Sequence, residues 1–144
     1  MTRRCLWAAG FVLATLSGCA ATQITPLERI TLGSGGGIAG IRSGYRIERS
    51  GMIEQWETHG ESMHIRAAAK VPSTNVRDIF ARAAALGADT LQLDRTGNVT
   101  YWLELTSARR TVRLRWTDPD AIPPHIAVFY RELLERCQNA IDGK

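Results

Sequence analysis

The residues best suited to metal binding or acid–base chemistry form one short cluster, His59, Glu61 and His64. Imidazole and carboxylate groups are common zinc ligands, but two histidines on one face of a zinc-binding helix stand four residues apart. Here the histidines stand five residues apart, and no known zinc pattern surrounds them. We interpret the three residues as surface groups in a connection. An enzyme that uses His59 and His64 is the weaker alternative.

A second candidate for chemistry is a glycine-rich stretch in which Gly35, Gly37 and Gly40 match the spacing G-x-G-x-x-G. In a dinucleotide site this turn leads directly into a helix, whose N-terminus binds the pyrophosphate. Here a strand pattern follows, and the Lys-Ser or Lys-Thr pair of a phosphate-binding loop is missing. The sequence also has no G-x-S-x-G motif and no carboxylate pair with a constraining spacing. We therefore predict that the protein is not an enzyme and uses no cofactor or metal.

The N-terminus is organised like an export signal. Two arginines precede the apolar run Leu6–Leu16, which is too short to span a bilayer as a helix, and the run ends in the residues LSGC. This ending resembles the lipobox of bacterial lipoproteins, whose cysteine is diacylated and becomes the first residue of the mature chain. An ordinary secretion signal is the alternative. The resemblance implies removal of residues 1–18 and a lipid anchor on Cys19. The resemblance also implies that Ala20, directly after the lipidated cysteine, allows release of the protein to the outer membrane, where its domain would face the periplasm.

Cysteine use and charge narrow the functional class further. Cys5 would leave with the signal and Cys19 would carry lipid, so Cys137 is the only thiol left and no internal disulfide can form. Cys137 falls on the apolar face of a predicted helix without a Cys–His pattern, so we expect a buried structural thiol. Loss of Arg3 and Arg4 lowers the formal net charge from +4 to +2. That charge is too small to indicate nucleic acid as a partner.

Hydrophobic patterns predict a single α+β domain over residues 27–144, preceded by a lipidated N-terminus and linker at residues 19–26. The element order strand, strand, strand, helix, strand, strand, helix suggests an antiparallel sheet of about five strands with two amphipathic helices on one face. The secondary structure of the segment His59–Val71 is ambiguous in the sequence. One interpretation is a loop followed by a strand around His64–Ala68. The predicted strands are Leu27–Leu32, Ile41–Arg49, Met52–Thr58, Val99–Ser107 and Thr111–Trp116.

The two helices have the clearest signals. After Pro72, Ser73 or Thr74 can cap a helix whose apolar residues recur every three or four positions, with Gly87 just past its end. Pro124 suits the first turn of the closing helix. The predicted apolar stripes are Val76, Ile79, Phe80, Ala83 and Leu86 in the first helix, and Ile126, Phe129, Tyr130, Leu133, Leu134, Cys137 and Ile141 in the second.

Two further groups of side chains allow both a binding and a packing interpretation. Four arginines near the second predicted hairpin can contact anionic lipid headgroups, but a solvated sheet face that carries charge explains them better. Three tryptophans can form a ligand platform, whereas we expect at least two of them to serve core or cross-strand packing. These residues are Arg109, Arg110, Arg113 and Arg115, and Trp56, Trp102 and Trp116.

The glycine-rich stretch also carries a resemblance to a known family. The run Gly36–Ile41, GGIAGI, is similar to the S-G-G-F-A-G-I signature of the emfourin family, small protein inhibitors of thermolysin-type zinc metalloproteases. The order of a central helix, a tyrosine-bearing hairpin, a proline-containing loop and a closing helix is similar over most of Glu28–Ile141. Gly35 and Ile38 stand where the family has serine and phenylalanine. The lipidated N-terminus and the segment Thr58–Lys70 are additions.

The resemblance implies a protein-binding module whose partner is a secreted zinc metalloprotease. We expect the loop Gly33–Gly44 to be exposed and to let its backbone enter a protease cleft, with Ile38 or Ile41 filling an apolar pocket. The alternative is a structural envelope lipoprotein that scaffolds an assembly through a sheet edge or the aromatic face, without inhibitory activity. The residues implied in partner binding are Gly36, Gly37, Ile38, Ala39, Gly40 and Ile41.

Overall fold

Six strands form one antiparallel sheet in the part of the chain that the structure, a computed structural model, describes, residues 25–143. In chain order the strands are β1 (Leu27–Gly36), β2 (Ile41–Glu48), β3 (Met52–His59), β4 (Ser62–Lys70), β5 (Val99–Ser107) and β6 (Thr111–Trp116). The helix α1 (Ser73–Ala84) lies between β4 and β5, and α2 (Pro124–Asp142) follows β6. Across the sheet the order is β4-β3-β2-β1-β5-β6. The predicted α+β class is confirmed.

The strand β4 corrects the predicted count of about five strands to six, and it fills the segment that the sequence left open. A strand with one buried face alternates between apolar and polar residues. β4 lies at an edge of the sheet, and only Ala67 and Ala69 in it are half-buried, so little of this strand is under that constraint. A bulge also interrupts its pairing, because Gln55 faces Ala67 whereas the next residue, Trp56, faces Ile65. The extra residue breaks the period of two, so alternation could not reveal this strand.

Most of the glycine-rich stretch is strand. Residues 41–44 belong to β2, as the predicted strand Ile41–Arg49 requires, whereas the prediction of a loop over residues 33–36 is wrong because β1 continues to Gly36. The first two strands continue from both sides until only the turn Gly37–Gly40 remains. Gly33 and Gly44 lie directly opposite each other in β1 and β2. A Cβ on Gly44 would overlap the carbonyl oxygen of Leu32 and lie 2.7 Å from the Gly33 Cα. The two strands therefore approach each other more closely here than a side chain would allow.

Both helices form where the sequence predicted them, with one difference at the start of α1. Neither Ser73 nor Thr74 caps this helix with its side chain, and Pro72 occupies the N-cap position. Past the end of α1, Gly87 adopts a left-handed φ of 64°, as its position predicted. Pro124 lies in the first turn of α2, where its missing N–H leaves no helical hydrogen bond unmade.

The core lies between the two helices and one face of the sheet. The Tyr130 hydroxyl donates a hydrogen bond to the Gly33 carbonyl at 2.7 Å, and the Tyr45 hydroxyl donates one to Gln138 Oε1 at 2.5 Å. These bonds tie α2 to the two central strands. Leu86, Leu134 and Ile141, predicted on the apolar stripes, are half-buried at the margin of the core. The largest fully buried side chains are those of Ile30, Leu32, Ile47, Val76, Leu103, Leu114, Ile126, Leu133 and Cys137.

Among the described residues no helix packs on the opposite face of the sheet, which we call the open face. Residues directly opposite each other in paired strands share a face, so Trp56, Gly44, Gly33 and Trp102 form one row across β3, β2, β1 and β5. The two indole rings stack with centroids 5.9 Å apart and planes inclined by 28°. A Cβ on Gly33 would lie 2.9 Å from Trp102 Cζ2. Glycine in this row therefore leaves space for the rings.

Candidate functional site

The turn Gly37–Gly40 is fixed at its base by backbone hydrogen bonds. The Gly37 N–H donates to the Asn98 carbonyl at 2.6 Å, and the Gly40 N–H donates to the Gly37 carbonyl at 3.2 Å. Gly37 and Gly40 have φ values of 72° and 61°, which glycine adopts readily and other residues rarely do. The sequence of the turn therefore fits one defined backbone conformation.

The tip of this turn exposes apolar side chains. The side chain of Ile38 is fully exposed, and those of Ile41 and Val99 are 40% and 44% exposed. Ile41 and Val99 both face Gly36 from the strands on either side of it, so they lie at the same end of the sheet as the turn. We call Ile38, Ile41 and Val99 the apolar tip. Clustered exposed apolar residues are typical of protein contact surfaces.

The six residues that the sequence predicted for partner binding all lie at this end of the β1–β2 hairpin. Gly36 ends β1, the next four residues form the exposed turn, and Ile41 begins β2. Gly36 has a φ of 135°, and a Cβ there would overlap the carbonyl oxygen of Asn98, so glycine is needed where the segment before β5 approaches β1. The sequence did not single out Val99, because only the β1–β5 register places it beside Gly36.

The residues His59, Glu61 and His64 do not come together as a metal site. His59 Nε2 lies 2.5 Å from Oε1 of Glu57, and the two histidine ring centroids are 6.3 Å apart. A hydrogen bond from Arg66 lowers the pKa of Glu57, which keeps that carboxylate ionised beside His59. Within residues 25–143 no group of three or more His, Cys, Asp or Glu side chains could hold a metal ion.

Cys137 lies in the core, as its place on the α2 stripe predicted. Its side chain is 1% exposed, and burial raises the pKa of the thiol to about 12. The thiol is therefore protonated at neutral pH, whereas the thiolate is the form that acts as a nucleophile. This environment fits a structural residue.

The predicted surface arginines are largely paired with carboxylates. Ion pairs of this kind reduce the positive charge that is available to a lipid headgroup, which favours the interpretation as a solvated, charged sheet face. Arg109 has no such pair among the described residues and lies in the exposed β5–β6 turn. The pairs are Arg110–Asp89 and Arg113–Glu104, both at 2.9 Å, and Arg115–Asp94 at 2.5 Å.

The three tryptophans divide between the two faces of the sheet. Trp116 is in the core, where its ring meets that of Tyr130 edge-on with centroids 5.0 Å apart. Trp56 and Trp102 form the cross-strand stack on the open face. The expectation that at least two tryptophans serve core or cross-strand packing is confirmed.

The predicted signal peptide and lipidation site, Cys19, lie outside the described residues. Between residues 25 and 143, no helix is both long enough and apolar enough to cross a membrane. Comparison of the chain with protein-family models and with curated proteins found no match.

Proposed function

We propose that this protein binds a partner protein through the apolar tip, and that the partner is a secreted thermolysin-type zinc metalloprotease, which it inhibits. The observation that carries the proposal is the full exposure of Ile38 on a turn whose backbone is fixed by hydrogen bonds. A pre-formed turn loses little conformational entropy when it binds, so more of the contact energy contributes to affinity. The GGIAGI run and its resemblance to the emfourin signature point to this class of protease.

The shape of the turn suits a narrow cleft. No atom beyond its chain neighbours lies within 4 Å of a Cβ built on Gly37 or Gly40, so the turn stands clear of the rest of the domain. Ala39 adds only a methyl group beside Ile38. A protease surface can therefore approach the backbone on both sides of the isoleucine, whose side chain fills a pocket for large apolar residues.

Replacement of Ile38 by Asp should weaken inhibition of a thermolysin-type protease by about thirtyfold or more, because an apolar anchor at an interface centre contributes roughly 2 kcal/mol. The melting temperature should stay unchanged, because Ile38 is fully exposed. Gly37→Val tests the backbone, since a β-branched residue disfavours a φ of 72° and obstructs close approach. Inhibition constants and thermal melting should be measured for both variants.

Val128→Asp is the matched control, because Val128 is 48% exposed on α2 and outside the apolar tip. It should inhibit like the wild type. If Ile38→Asp and Gly37→Val also inhibit and melt like the wild type, the turn is only a connection between strands. A wild-type protein that inhibits no thermolysin-type protease contradicts the inhibitory role itself.

The lipobox-like run supports a second part of the proposal, in which lipid on Cys19 anchors the mature chain in the outer membrane with its domain in the periplasm. The first strand begins at Leu27, a few residues after Cys19. Because an extended chain spans at most about 3.6 Å per residue, this short link keeps the domain close to the bilayer.

Cys19→Ala should abolish incorporation of a labelled fatty acid and retention in the membrane, and it should leave an unprocessed precursor. Cys137→Ala is the control, because the buried Cys137 is not an acylation site and its variant should keep the label. Membrane fractionation and metabolic labelling measure the two effects. Absence of label on the wild-type protein contradicts the lipoprotein assignment.

A scaffolding role is the second candidate, and the free edge of β4 favours it. One side of this strand has no neighbouring strand among residues 25–143, and its Met63 and Ile65 are 49% and 47% exposed. An extended segment of another protein can pair with such an edge. A pull-down from detergent-solubilised envelopes distinguishes the roles: recovery of a secreted metalloprotease favours inhibition, and recovery of envelope assembly proteins favours scaffolding.

A further inference from the structure

We infer that the open face holds a second binding site, for a small organic anion that carries a planar apolar group. The site is a groove of about 440 Å³, which is within the usual size range of small-molecule sites. It lies on the sheet face away from the helices. Its lining residues belong to the strands and to the loop before β5, and Gly36 is the one it shares with the proposed partner-binding residues. The inference therefore does not depend on protease inhibition.

Trp102 and Trp56 form the apolar floor of this groove. Trp102 is half-buried and Trp56 is 6% exposed, so the stacked pair presents mainly the Trp102 ring. The glycine pair Gly33 and Gly44 lies between the two tryptophans in the same row, which lets the indole rings lie close to the sheet and stack. Aromatic rings bind planar groups in offset stacks, so this floor suits a flat apolar part of a ligand.

Trp56, which lines the groove, also has an unused hydrogen-bond donor. Its Nε1 is buried without a hydrogen-bond partner among the described residues, although the N–H of a buried tryptophan usually has one. A buried donor left unpaired costs free energy, and an acceptor atom of a ligand would recover it. The inferred ligand therefore carries an acceptor close to its planar group.

The side chains of Met63 and Arg46 meet across the position of Trp56, which fits the burial of that tryptophan. Met63 faces Thr58 and Arg46 faces Glu54, the residues on either side of Trp56 on the same face of β3. The Met63 sulfur nevertheless reaches to 3.7 Å from Arg46 Nη2. Methionine is flexible and unbranched, so it can move aside and admit a ligand to the indole N–H.

Arg42 gives the groove its preference for an anion. The guanidinium of Arg42 has no hydrogen bond or ion pair among the described residues. A Cβ on Gly35 would lie 2.7 Å from Arg42 Cγ, so the aliphatic part of the Arg42 side chain lies against that glycine. Arg113 and Arg115, the other arginines of the groove, are paired with carboxylates. A carboxylate or phosphate can bind Arg42 through two parallel hydrogen bonds, and these charge-assisted bonds are stronger than neutral ones.

The test uses the full chain in detergent, with indole-3-acetate as the anionic probe and indole-3-acetamide as its neutral match. Indole-3-acetate should shift the Nε1–H resonance of Trp56 in a saturable way, and a Trp56→Phe variant identifies that resonance. The amide should bind about tenfold more weakly, because it lacks the charge-assisted bonds to Arg42. Arg42→Gln should reduce the affinity for indole-3-acetate to the level of the amide.

Two further variants separate recognition from folding. Arg109→Gln removes an exposed arginine outside the groove and should bind indole-3-acetate like the wild type. Trp102→Ala should weaken both probes, because it removes the stacking surface. Circular dichroism identifies any variant that fails to fold.

The inference is overturned if indole-3-acetate leaves the Trp56 resonance unmoved, or if folded Arg42→Gln and Arg109→Gln proteins bind it equally. Ile38→Asp should bind indole-3-acetate normally, because Ile38 lies outside the groove. Loss of inhibition by that variant with intact probe binding therefore separates the two sites.

Discussion

Gly44→Ala is expected to lower the free energy of unfolding by about 3 kcal/mol, as a side chain forced into a packed site does. The nearest atoms to the added Cβ are backbone atoms of the adjacent strand, the Leu32 carbonyl and the Gly33 Cα. Backbone atoms in the middle of a sheet cannot move aside as a flexible side chain can, so β1 and β2 must separate locally. Urea unfolding followed by tryptophan fluorescence measures the effect.

Gly37→Ala is the matched control, because it also replaces a glycine of the same hairpin. No atom beyond its chain neighbours lies within 4 Å of a Cβ there, and the cost of about 1–2 kcal/mol comes only from the left-handed φ. Gly44→Ala should also change the near-ultraviolet circular dichroism of the Trp56–Trp102 stack, and Gly37→Ala should not. Equal stability of wild-type and Gly44→Ala proteins would contradict the close strand approach described above.

Leu133→Ala should destabilise the domain by about 2–5 kcal/mol, the usual cost of removing a buried leucine side chain and leaving a cavity. Leu133 is 1% exposed and lies on the α2 stripe that faces the sheet. Its neighbours on that stripe include Tyr130, which is hydrogen-bonded to the Gly33 carbonyl, so little room exists for the helix to move inward. The midpoint of urea unfolding should fall accordingly.

Val128→Ala on the same helix supplies the comparison. Val128 is 48% exposed, and its truncation should change the free energy of unfolding by no more than about 0.5 kcal/mol. If both variants unfold at the same urea concentration, α2 does not pack on the sheet through Leu133. The contrast tests the predicted helical stripe and its observed orientation together.

The two proposed sites are close in sequence and adjoin at Gly36, but the exposed turn and the groove use different side chains. Gly35, Gly36 and Arg42 border the groove on the open face, and the exposed turn lies between Gly36 and Ile41. Ile41 and Arg42 are chain neighbours, but successive residues of a strand point to opposite faces. A substitution in the glycine-rich stretch can therefore affect either site. To assign the effect of such a substitution to one site, each single-residue variant should be tested for both protease inhibition and binding of a small anion.

The sequence alone determined the elements that bury one face. The α2 stripe from Ile126 to Ile141 and the alternation of Val99–Trp116 were predicted correctly, because burial of one side imposes a period of 3.6 or 2 on neighbouring residues. The burial of Cys137 followed from the same stripe. The edge strand β4 could not be predicted this way, because it is exposed along most of its length and interrupted by a bulge.

The tertiary structure alone decided how the glycines and tryptophans are used. In the sequence Gly33 and Gly44 belong to the same glycine-rich stretch as the turn, and Trp56 and Trp102 are far apart. The register across β3, β2, β1 and β5 places all four in one row, and the β1–β5 pairing brings Val99 beside the turn. Register depends on strand order and on the side chains of both partners in each pair. Local periodicity does not contain that information, because it reports only which side of its own strand a residue occupies.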